Sequence, residues 1–81
     1  MKLGVYSLQK VLFQGNATSV NCNTRVGEVT ILDNHEALIS IVEKGTMKIV
    51  DGDQKEWYIP VSSGFLEVNS DSQVKILVET E

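Results

Sequence analysis

The sequence predicts an all-β fold: a small antiparallel β-sandwich, or flattened barrel, of about eight to ten short strands. Apolar residues alternate with polar ones in short runs around Val29-Ile31, Ile39-Ile41, Met47-Ile49, Trp57-Val61 and Val74-Val78. Alternation of this kind sets one face of a strand against a core. Turn formers interrupt the runs at short spacing, and the only helix-like stretch is a brief turn at Asn34 to Leu38.

Taken in order, Leu3 and Val5 alternate with Lys2, Gly4 and Tyr6 as a first strand. A turn at Ser7 to Lys10 leads to Val11-Leu12-Phe13. Gly15-Asn16 interrupts, as a bulge or sharp bend, before an extended run from Ala17 to Asn23. The central stretch Gly27 to Lys48 holds three runs and the polar bend Asp33-Asn34-His35-Glu36. Met47 to Val50 pairs with Trp57 to Val61 across Asp51-Gly52-Asp53-Gln54, because Asp-Gly between apolar runs favours a hairpin. Phe65 to Val68 and Val74 to Val78 form another hairpin around Asn69-Ser70-Asp71, and Pro60 belongs at an edge or irregularity. The period-two positions predict a core of Val29, Ile31, Ile39, Ile41, Met47, Ile49, Trp57, Ile59, Leu66, Val68, Val74, Ile76 and Val78.

A chain of 81 residues makes one domain, residues 1–81, with a single core. At that size it buries only about 60–65% of its unfolded surface. The net charge is −4 and the seven Lys and Arg are scattered, which argues against nucleic acid as a partner. Cys22 is the single cysteine, so no internal disulfide forms, and it reads as a small packed hydrophobe. No signal peptide or membrane-length apolar run is visible, so direct membrane insertion is not expected.

Chemistry-bearing motifs are scarce. His35 is the single histidine and lies in a turn, without the further ligands that a metal would need. Asp51-Gly52-Asp53 lacks the rest of a calcium loop and reads as a turn. Asn16-Ala17-Thr18 matches a glycosylation sequon but reads as a bend. Trp57 falls on the core face, while Tyr58 points outward and suits either an interface or plain surface. No phosphate-cradling loop and no nucleophile with a suitable histidine is present, so neither catalysis nor a cofactor is expected.

Three ordered blocks carry a resemblance. Gly27, Glu28, Ile31, Leu32, His35, Leu38, Ile39 and Gly45 match Gly-Glu-Leu-Gly-Ile-Leu-Pro-x-His-Ala-Pro-Leu-Leu-x-x-x-x-x-Gly. Ser63-Gly64-Phe65-Leu66-Glu67-Val68 is similar to Gly-Gly-Phe-Leu-Glu-Val, and Val11-Leu12-Phe13-Gln14-Gly15 to x-x-Phe-x-Gly. In order and spacing these resemble the β-sandwich domain of the F-type ATP synthase epsilon subunit, across essentially the whole chain. The resemblance sharpens the expected fold to a two-sheet antiparallel β-sandwich of about ten short strands, here with no C-terminal helical hairpin. The departures are Thr30 for a glycine, Asp33, Ala37 and Lys44 for frequent prolines, and Ser63 for a glycine. They suggest a divergent member with blurred partner contacts.

The resemblance implies a non-catalytic central-stalk subunit that links gamma to the membrane c-ring within the F1 complex, helping couple ion translocation to ATP synthesis. It implies a peripheral position at the cytoplasmic face of a bacterial inner membrane. On the same basis Glu28, Asn34 and His35 would lie toward the c-ring, and Ser7 and Ser40 toward gamma. Family members continue into a two-helix hairpin, whereas this sequence stops at Val78-Glu79-Thr80-Glu81. Neither nucleotide binding nor the extended inhibitory conformation is therefore expected of it. The rival reading is a free-standing β-sandwich that binds a small ligand or peptide. A ligand binder should show a pocket with convergent polar groups, and a stalk subunit a broad, shallow, partly apolar face.

Overall fold

The computed structural model describes residues 1–33 and 36–80. Its eight strands are β1 (Lys2–Tyr6), β2 (Val11–Thr24), β3 (Gly27–Leu32), β4 (Leu38–Val42), β5 (Gly45–Asp51), β6 (Glu56–Val61), β7 (Ser63–Val68) and β8 (Gln73–Glu79). There is no helix among the described residues. The strand number is eight rather than ten, chiefly because Val11-Leu12-Phe13 and the run from Ala17 onward are one strand of 14 residues. Gly15 does not end β2. Its φ of 152° is reached readily only by glycine, and nothing lies within 4 Å of where a Cβ would stand. Gly15 still pairs with Leu3 and Asn16 with Lys2, and the strand takes up its second set of partners from Ala17. The turn at Asn34 to Leu38 falls partly outside the described residues, and Leu38 itself opens β4.

Two layers result. In one, β4, β7, β8 and β1 lie side by side, and β1 also pairs with the first half of β2. In the other, the second half of β2 lies between β3 and β5, and β6 flanks β5. A single pairing, Thr24 with Val42, joins β2 to β4. Every ladder is antiparallel except β1–β8, which is parallel and so corrects the all-antiparallel expectation. Hairpins impose antiparallel pairing on sequence neighbours, but the first and last strands have no connecting turn to constrain their direction.

Between the layers lies a core of Leu3, Val5, Phe13, Ala17, Val20, Cys22, Ile31, Val42, Met47, Ile49, Ile59, Val61, Leu66, Val68, Val74, Ile76 and Val78. Val29, Leu38 and Trp57 pack against its margin. Two predicted core members are misplaced: Ile39 is exposed and Ile41 only half-buried. In β4 the residue Ser40 stands opposite fully buried Leu66, and Val42 is buried. Cross-strand partners share a face, so Leu38, Ser40 and Val42 point inward and the two isoleucines point out. A serine on the inner face of Leu-Ile-Ser-Ile-Val inverts the apparent alternation.

The same turn closes both predicted hairpins. In β5–β6, the Asp51 carboxylate accepts backbone N–H groups from Asp53 and Lys55, each at 2.9 Å. In β7–β8, Asn69 Oδ1 accepts the N–H groups of Asp71 at 2.9 Å and Gln73 at 3.2 Å. The fourth residue of each turn has positive φ, 65° at Gln54 and 58° at Ser72. Asp51 also accepts the Trp57 indole N–H at 2.9 Å, and Trp57 meets Phe13 edge-on with centroids 5.4 Å apart. The hydrogen bonds from Trp57 and Lys55 hold the Asp51 carboxyl below its ordinary pKa.

Two measurements test this account. Ile31→Ala should cost about 2–5 kcal/mol in urea unfolding, whereas Ile41→Ala should cost well under that because its site is already half in water. Asp51→Asn should lower the melting temperature, because an amide cannot accept from all three donors. A depressed folded-state pKa stabilises above the unfolded value and loses that contribution as pH falls through the folded one. The gap between wild type and Asp51→Asn should therefore be full above about pH 5 and shrink below about pH 4. A gap independent of pH would remove the carboxylate from the argument.

Candidate functional site

The outward faces of the two layers differ in chemistry. On the β3–β2–β5–β6 layer, cross-strand register aligns Thr30, Asn21, Lys48 and Tyr58 in one row. Its groups bond within the layer: Asn21 donates to Thr30 Oγ1 at 2.7 Å, and the Tyr58 hydroxyl donates to Oε1 of Glu56, two residues earlier on β6, at 2.7 Å. Lys48 Nζ lies 3.4 Å from the same Glu56 carboxylate. The phenol donating into Glu56, followed by Lys48, lowers the Glu56 pKa, and that bond raises the Tyr58 pKa. This face is polar and internally bonded.

On the β1–β8–β7–β4 layer the corresponding row is Tyr6, Leu77, Phe65 and Ile41. Leu77 is 51% exposed, Phe65 50%, and neighbouring Ile39 66%. Leu8, in the β1–β2 turn, extends the apolar surface at one end, and Val26, in the β2–β3 turn, extends it at the other. Shallow hollows of about 370 and 390 Å³ meet at Ile41 and Phe65, the first bordered by Leu8 and Leu77 and the second by Val26 and Ile39. Isolated exposed apolar residues need no explanation, but a continuous patch of this kind marks an interaction surface. Strands carry it, so its shape is held by the ladders beneath.

The residues predicted to act fall into three places. Glu28 is exposed near the start of β3, opposite Asn23. Ser7 sits beside Leu8 at the edge of the apolar face, where its hydroxyl accepts the N–H of Gln9 and Lys10 and so shapes the turn. Ser40 lies on β4 but points inward, so Ile39 and Ile41 present that strand to the surface. Asn34 and His35 lie outside the described residues. Close by, Asp33 pairs with the N-terminal ammonium. Tyr58 belongs to the polar layer, away from the apolar row.

Cys22 is buried and its thiol is pushed up to about 11 by desolvation, which suits packing. Among the described residues, no group of three His, Cys, Asp or Glu could hold a metal. Sequence reasoning missed the apolar row itself. Phe65 and Leu77 were its signal: large apolar residues at outward positions of strands whose inward positions are already apolar.

Fold and surface together define a class: a small β-sandwich with one exposed, apolar, strand-borne face. Comparison narrows the class. Residues 1–81 match the family described as ATP synthase, Delta/Epsilon chain, beta-sandwich domain, and the chain belongs to that family. It is 39% identical over 80 residues to the ATP synthase epsilon chain of Bordetella parapertussis, covering 99% of this chain and 56% of that protein. The epsilon chain of Clostridium novyi is 33% identical over 75 residues, covering 90% of this chain and 56% of that one. The chain thus spans little more than half the length of these relatives.

Two solved structures share the fold. One is the Euglena gracilis mitochondrial ATP synthase, OSCP/F1/c-ring in rotational state 1, with a TM-score of 0.87 and 22% identity over 94% of this chain and 48% of that one. The other is the central stalk/c-ring of the Tetrahymena thermophila mitochondrial ATP synthase, with a TM-score of 0.83 and 15% identity over 100% of this chain and 63% of that one.

Proposed function

We propose that this domain is a non-catalytic rotor element of an F-type ATP synthase, bound to the gamma subunit through the apolar row and turned toward the c-ring at the end that carries Glu28. The observation that carries this reading is the continuous row Tyr6–Leu77–Phe65–Ile41 on a chain that matches the family throughout. Burying such a row against a partner releases ordered water over a flat area, and the ladders beneath resist shear. A stiff sandwich suits a part that passes torque, because a compliant one would lose rotation to deformation. No helix of the described residues is long and apolar enough to cross a membrane. In this reading, association with a bacterial inner membrane, at its cytoplasmic face, runs through the ring.

The test is co-purification with the cognate gamma subunit. Phe65→Ser should reduce recovery at least tenfold, since centrally buried aromatic anchors at interfaces are worth about 2 kcal/mol or more. A melting temperature near wild type would show that the sandwich is intact, because Phe65 faces outward. Unchanged recovery would sink the assignment of this face.

The ring-facing end has its own test. A rim carboxylate is worth only about 0.2–1 kcal/mol, so Glu28→Ala should weaken ring retention slightly. Glu28→Lys adds repulsion and should lower ring retention and coupled ATP synthesis, most at low salt, with the fold unchanged. Normal coupling and retention at low salt would take Glu28 out of the interface.

A further inference from the structure

The apolar row has no direction of its own, because hydrophobic contact is not oriented. Its two flanks, however, carry different charges. On one side the next cross-strand row runs Gly4, Lys75, Glu67 and Ile39, with Lys2 one step farther along β1. On the other side stand Glu79, opposite Ser63 at the end of β7–β8, and Glu43, just past β4. Glu43 has Arg25 at 3.9 Å, whereas Glu79 has no ion pair among the described residues.

The basic side is also concave. A hollow of about 310 Å³ is bordered by Lys2, Gly4, Tyr6, Gln14, Gln73 and Lys75, and no carboxylate of the described residues lines it. Gly4 makes it possible: a Cβ there would collide with the Tyr6 hydroxyl and ring, so the tyrosine lies back over the glycine and walls the hollow. The Gln73 amide oxygen accepts from Asn69 at 3.1 Å, which leaves its NH₂ group to donate elsewhere. Neither Lys2 nor Lys75 has an ion pair among the described residues, although Glu67 stands opposite Lys75. In a chain of net charge −4, a cleft with two lysines and no lining acid is a local reversal of sign.

We infer that the partner covering the apolar row places a carboxylate side chain in the Lys2–Lys75 hollow and a cationic group against Glu79, and that this polarity sets the single orientation in which it docks. The inference rests on the reading of the row as the gamma-binding face. Gamma would bring an aspartate or glutamate on one side of its own apolar patch and a lysine or arginine on the other. Such rim charges act mainly on the rate and register of encounter, and the apolar centre supplies the holding energy.

The experiment measures association and dissociation rates with the cognate gamma subunit at two salt concentrations. The variants are Lys2→Glu/Lys75→Glu, Phe65→Ser and, as a control on the polar layer, Lys48→Glu. The paired reversal should slow association about tenfold or more at low salt, and the loss should shrink when salt is raised. Lys48→Glu should change the rate far less, and circular dichroism should show every variant folded. A paired reversal that matches Lys48→Glu at both salts, with Phe65→Ser still impaired, overturns the inference alone. If Phe65→Ser also binds normally, the face itself is wrong and both readings fall.

Discussion

Nearly everything in this domain depends on β2 remaining one strand through Gly15. It pairs with β1 as far as Asn16, with β5 and β3 from Ala17 onward, and touches β4 at its end. Because one backbone serves both layers, their separation and angle are set by a covalent chain rather than by side-chain packing alone. A chain of 81 residues has little core to hold two independent sheets together. Sharing a strand reduces how much that core must do. The parallel β1–β8 ladder then ties the end of the chain to its start.

The two Asx turns extend the same economy to the hairpins. Asp51 and Asn69 each accept N–H groups two and four residues ahead, so local side-chain bonding helps fix the register of each hairpin. Asp51 goes further, since its bond to Trp57 ties the turn to the Phe13–Trp57 edge contact and so to β2. Lys55, with its ammonium 4.8 Å from the indole centroid, covers that ring from solvent.

This rigidity bears on the work proposed for the face. A patch on loops could adapt to a partner, but it would yield when loaded. Tyr6, Leu77, Phe65 and Ile41 stand on four hydrogen-bonded strands, so moving one relative to another means breaking a ladder. Thr30, Asn21, Lys48 and Tyr58 occupy the equivalent row of the other layer, a polar row in which Asn21 bonds Thr30 while Lys48 and Tyr58 both bond Glu56. The domain is two-sided because the rows differ in composition, not in geometry.

The sequence by itself determined the fold class, both hairpins and most of the core. Period-two alternation is written in the chain wherever inner residues are apolar and outer ones polar, as in β8, where Val74, Ile76 and Val78 face in. The ordered blocks around Gly27, Gly64 and Gly15 made the family legible before any coordinates. Tertiary structure alone decided the phase of β4 and, with it, the exposed apolar face. With apolar residues at both parities of Leu-Ile-Ser-Ile-Val, alternation assigns no side; pairing with Phe65, Leu66 and Glu67 does. The row Tyr6–Leu77–Phe65–Ile41 joins residues far apart in the chain, and no local pattern marks it. Only the register of three ladders, one of them parallel, brings those side chains together.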